Sequence, residues 1–114
     1  MSIKSERISD ALIKEISYIL NYDVKNKDIK FVTITDVKVT NDLSFAKVYF
    51  TVLDSSRIKE TLNALTSASG FIRHELRDRV DIRQIPELEF IYDESIEYGE
   101  RIESILEQIK KDEK

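Results

Sequence analysis

In residues 64–90, ALTSASGFIRHELRDRVDIRQIPELEF, the apolar side chains Leu65, Ile72, Leu76 and Val80 keep nearly one helical phase, which Ile58 and Leu62 extend backwards. One helix face is therefore buried from end to end. The phase slips at Ser69, inside the triplet Ala68, Ser69 and Gly70. An unbroken helix from Arg57 to Asp81 is about twice the usual length, and an interior glycine costs it roughly 1 kcal/mol relative to alanine. The spacing predicts a kink, with Gly70 at positive φ ending one helix and the Ser69 hydroxyl capping the next. The alternative is one long helix that tolerates its glycine. Past Val80 the period falls to two. Leu88, Phe90 and Tyr92 alternate with Glu89, Ile91 and Asp93 as a strand, which Pro86 places at a sheet edge or opens.

On the N-terminal side, Ile8, Leu12, Ile16, Ile19 and Leu20 recur at helical spacing and predict an amphipathic helix over about residues 5–22. The polar run DVKNKDIK, residues 23–30, connects it to a β-rich segment beginning at Phe31. Val37 and Val39 share one parity whereas Val32 and Ile34 share the other, which predicts a bulge near Thr35 and Asp36. Asn41 and Asp42 then supply turn chemistry for a hairpin. In the second strand, Phe45 to Leu53, both faces are fairly apolar, as befits a central strand. A right-handed helical crossover makes strands two and three parallel neighbours, with strand one antiparallel on the other side. The last segment, from Ser95 to about Lys110, reads as a helix through Ile102, Ile105, Leu106 and Ile109. The expected architecture is α+β, in the order α-β-β-α-(kink)-α-β. It has a three-stranded sheet, helices on one face and a short C-terminal helix. Residues 1–114 form one domain, and the sequence leaves open whether residues 95–114 dock or move.

The chain has 114 residues, 41% of them apolar and 35% charged, which suits a single core. There is no cysteine and one histidine, so disulfides, thiolate metal sites and imidazole clusters are excluded. The N-terminal residues carry charges every few positions, without the apolar run of a signal peptide or membrane span, and we expect a cytoplasmic protein. Net charge is −4, but the acidity is local: residues 85–114 hold 10 acidic and 4 basic groups, whereas residues 57–84 hold 4 and 6. A basic face can therefore exist away from the C-terminal quarter.

No catalytic constellation stands out. His74, between Arg73 and Glu75, reads as an exposed polar residue, and the carboxylates Glu87, Glu89, Asp93 and Glu94 scatter over two strand faces. The only glycines, Gly70 and Gly99, make no phosphate loop. We expect no enzyme activity, cofactor, metal or small-molecule substrate. The basic residues say more. Arg73 and Arg77 lie one turn apart beside the buried stripe, with Arg83 just beyond, and the start of a second helix would turn the N–H groups around Gly70 and Phe71 toward an anion. The same arginines also read as a solvated face paired with Glu75, Asp78 and Asp81. Tyr49 beside Lys47 is a candidate stacking surface, or packs under a helix. Lys25, Lys27 and Lys30 add electrostatic contacts or form a solvated loop.

Taken together, RISDALIKEISYIL, VTITDVKVTNDLSFAKVYFTVL, ASGFIRHEL, RQIPELEF and DESIEYGERIESIL resemble, in order and spacing, the ribosome-binding factor A family over nearly the whole chain. Family members usually carry a Lys-Asp-Pro-Arg type turn where this chain has KNKDI, residues 25–29. The resemblance implies a type II K-homology-like domain in which an Ala-x-Gly kink, matched by Ala68, Ser69 and Gly70, replaces the usual Gly-x-x-Gly loop. It also implies a non-catalytic role. Such a protein binds free or precursor 30S subunits through 16S rRNA, assists processing of the rRNA 5′ end and late maturation, and supports growth in the cold. The RNA-binding residues then include Arg73, Arg77, Arg83, Ser69, Gly70, Lys47, Lys25, Lys27 and Lys30, and the factor acts as a monomer away from membranes. The competing readings are a protein adaptor using the sheet edge or acidic terminal helix, and, further off, a small acid/base enzyme.

Overall fold

The computed structural model of the chain describes residues 3–29 and 31–95. Helix α1, Ile3–Tyr18, runs into a π-helical turn, Ile19–Asp23, and is followed by strands β1, Val32–Val39, and β2, Phe45–Val52. A 3₁₀ turn, Ser55–Arg57, leads into helix α2, Ile58–Leu76, and strand β3, Glu87–Tyr92, completes the order. The sheet order is β1-β2-β3, with β1 antiparallel and β3 parallel to the central strand, as the crossover argument requires.

Alternation along the strands turns Val37, Val39, Ala46, Val48, Phe50 and Phe90 to one face, where all are buried. That face receives Leu12 and Ile16 from α1 and Leu65, Ile72 and Leu76 from α2, so the core is a single layer between sheet and helices. Helix α1 lies chiefly on β1 and α2 on β3. The bulge falls where the parity switch predicts it. Ile34 pairs with Phe50 and Asp36 with Tyr49, leaving Thr35 over. The hairpin closes with Leu43 N–H donating to the Thr40 carbonyl at 3.0 Å, and Leu43 adopts φ 62°. Asp42 accepts from the Ser44 hydroxyl, the Thr40 hydroxyl and the Ser44 backbone N–H, which lowers its pKa to about 2.

The expected kink does not form. Helix α2 runs unbroken through Gly70, which has no positive φ, and Ser69 Oγ donates back to the Thr66 carbonyl at 2.8 Å, so it caps nothing. Leu65 precedes the glycine, Ile72 and Leu76 follow it, and all three are fully buried in one helical phase. Burying each is worth about 1.5–3 kcal/mol, which outweighs the roughly 1 kcal/mol that a helical glycine costs. The helix also ends at Leu76, sooner than the pattern suggests. The N–H groups of Arg77, Asp78 and Arg79 continue as i→i−3 turns to His74, Glu75 and Leu76. Of the expected C-terminal helix, only the start is described: Asp93 Oδ1 accepts from Ser95 N–H at 3.0 Å, and residues 96–114 lie outside the described residues.

Candidate nucleic-acid interface

The last turn of α2 and the segment from it to β3 carry four arginines whose environments differ sharply. Arg73, in the last turn of α2, donates to two backbone carbonyls, through Nε to Pro86 and through Nη2 to Ile85, each at 3.1 Å. Arg79 is bound on three sides. Its Nη1 lies 3.3 Å from Glu15, its Nη2 lies 3.0 Å from Asp23, and its guanidinium stacks 4.3 Å from the Tyr18 ring centroid. Desolvation opposes its charge, but the hydrogen bond to Glu15 and the charge of Asp23 prevail and raise its pKa.

Arg77 and Arg83 are exposed and make no ion pair among the described residues. The pairing with Glu75, Asp78 and Asp81 that a solvated-face reading invokes does not occur. Arg73, Arg77 and Arg83 line one shallow depression with Ile82, Gln84 and Ile85. Folding has thus spent one member of the predicted row on the route into β3 and left two guanidinium groups without an ion-pair partner among the described residues, a state in which they can meet an anion.

The other predicted residues are not brought to this depression. Ser69 and Gly70 lie farther back on α2, where the unbroken helix places the N–H groups of Gly70 and Phe71 in its interior and not at an anion-facing start. Lys27 lines a separate groove with Phe31, Leu53, Asp54 and Arg57. Asp28 pairs with Arg57, so this loop meets the N-terminal end of α2, about 30 Å along the helix axis from Arg77 at 1.5 Å per residue. Lys25 is exposed in the same loop, and Lys30 lies outside the described residues. Lys47 is exposed on the sheet face away from α1 and α2, opposite Lys38 and beside Glu89 in the ladder. Tyr49 is half-buried there, with Lys38 Nζ 5.4 Å from its centroid.

Sequence reasoning overlooked Arg79 and the two tyrosines near it. Tyr18 and Tyr22 are four residues apart, a spacing at which helical neighbours meet, and that was the available signal. Among the described residues, no group of His, Asp or Glu is placed to hold a metal ion, and no helix is long and apolar enough to cross a membrane.

The order αββαβ, a parallel β2–β3 pair, helices on one face and a basic depression beyond α2 define a mixed α+β domain. Within that class, the family model described as "Ribosome-binding factor A" matches residues 4–106. The chain is 47% identical over 113 residues to ribosome-binding factor A of Macrococcus caseolyticus, covering 98% of this chain and 99% of the relative. It is 48% identical over 110 residues to that of Staphylococcus carnosus, covering 96% of each. Its fold is similar to the crystal structure of ribosome-binding factor A from Thermus thermophilus, with a TM-score of 0.71 at 22% identity, covering 77% of this chain and 94% of that one. A homology model of the Thermus thermophilus factor, fitted into the cryo-EM map of a complex with the 30S subunit, matches with a TM-score of 0.61 at 23% identity, covering 83% and 97%. The chain belongs to the ribosome-binding factor A family.

Proposed function

We propose that this chain is a non-catalytic assembly factor of the small ribosomal subunit, binding free or precursor 30S particles through 16S rRNA and assisting 5′-end processing and late maturation. The near full-length kinship to ribosome-binding factor A is the observation that carries this reading. Arg77 and Arg83 support it, as exposed guanidinium groups in one depression that form no ion pair with a carboxylate among the described residues. In this reading the depression contacts phosphates, Lys25, Lys27, Lys30 and Lys47 add longer-range attraction, and the factor works in the cytoplasm as a monomer.

Co-sedimentation with mature and precursor small subunits, large subunits and deproteinised rRNA tests the proposal. Preference for small subunits, with unprocessed 16S rRNA accumulating when the factor is depleted, is the expected result. Equal binding to every particle overturns it.

A further inference from the structure

At the end of α1 the backbone widens into the π-helical turn Ile19–Asp23, a rare geometry found frequently at functional sites. Tyr18 immediately precedes this turn and Tyr22 lies within it, with their rings in contact, centroids 4.7 Å apart and tilted by 42°. The Arg79 guanidinium backs the Tyr18 ring and is itself fixed by Glu15 and Asp23. Arg79, Tyr18 and Tyr22 therefore form a short column anchored at one end. The ring at the other end faces water, since Tyr22 is 71% exposed while Tyr18 is 45% exposed.

A column of this kind contributes little to the core, which α1 reaches through Leu12, Ile16 and Ile19. What it offers is a flat, pre-positioned aromatic surface. The Tyr22 ring, exposed and in contact with Tyr18, suits a planar partner, because a flat π-face stacks well on another. The turn that supplies Arg79 also carries Arg77 and Arg83, which form no ion pair among the described residues and whose charge complements a sugar-phosphate backbone.

We propose that Tyr22 is a stacking platform for an unpaired RNA base, held by Tyr18 and Arg79, while Arg77 and Arg83 contact the phosphates of the same strand. This rests on the rRNA-binding reading above and adds to it a second kind of contact, made through base faces and insensitive to base identity.

The chain contains no tryptophan, so Tyr22→Trp introduces a single reporter. Its fluorescence should be quenched when small subunits or deproteinised 16S rRNA are added. Tyr22→Ala should weaken binding to both by on the order of tenfold without altering the salt dependence, and Tyr22→Phe should bind like wild type. Circular dichroism of each variant checks that the fold is kept. Wild-type affinity in Tyr22→Ala overturns the platform, as does a loss in Tyr22→Phe equal to that in Tyr22→Ala. A loss confined to intact subunits, absent with deproteinised 16S rRNA, also overturns it, because the tyrosine then meets a ribosomal protein. Failure of the wild-type chain to bind small subunits at all is the separate result that removes the rRNA-binding reading itself.

Discussion

Arg73 and Pro86 are joined by a hydrogen bond of 3.1 Å from Nε to the proline carbonyl, paired with a second from Nη2 to Ile85. The helix thereby holds the segment that starts β3, where Pro86 is fully buried and has no N–H of its own to contribute. Arg73→Ala should therefore cost about 1–3 kcal/mol in urea unfolding, since it leaves two partly buried carbonyls unsatisfied. Arg77→Ala should change stability by less than about 0.5 kcal/mol. Equal losses in the two variants would contradict this division of labour.

Binding should divide the same residues the other way. Replacing Arg77 or Arg83 by Ala should make the slope of log affinity for small subunits against log salt shallower by about 0.7–0.9 for each phosphate the variant no longer neutralises. Lys59, exposed near the opposite end of α2, is the control, and Lys59→Ala should leave the slope unchanged. A salt series in which all three variants coincide would remove the depression from the interface.

Gly70 lies inside a helix, with nothing within 4 Å of where a Cβ would sit. Gly70→Ala should stabilise the fold by about 0.5–1 kcal/mol, read as a higher urea midpoint. If α2 needed a left-handed residue there, alanine would lower the midpoint instead.

Truncating the core should be costly on both sides of the layer. Phe50 and Leu76 are both fully buried, so Phe50→Ala should cost about 3–5 kcal/mol and Leu76→Ala about 2–5 kcal/mol. Losses of a few tenths of a kcal/mol would mean that these side chains lie outside the core.

Asp93 accepts from Ser95 Oγ and from Thr35 Oγ1, the latter at 2.6 Å across the sheet, and these bonds lower its pKa. The carboxylate therefore stabilises the fold fully above its unfolded pKa, near 4, and that contribution is lost as pH falls through the depressed folded value. Asp93→Asn should melt below wild type at pH 6, with the gap closing as pH falls below about 4. A gap that stays constant down to pH 2 would show that its bonds do not depend on ionisation.

Local periodicity by itself determined the order of elements, because burial acts on side chains two or three to four residues apart. The shift in parity between Ile34 and Val37 located the bulge, and the handedness of the crossover made β2 and β3 parallel. The same local view misjudged Gly70, whose conformation is settled by the buried residues on either side of it and not by its own propensity. It could not divide the arginines either. Arg73 is committed to carbonyls 12 and 13 positions away, and Arg79 to carboxylates 64 and 56 positions away, so only the folded chain shows that Arg77 and Arg83 stay unpaired among the described residues. The Lys27 loop was separated from them for the same reason. An amphipathic pattern records which side chains leave water, but the partners of the charged ones depend on where loops cross, and that is a property of the tertiary structure alone.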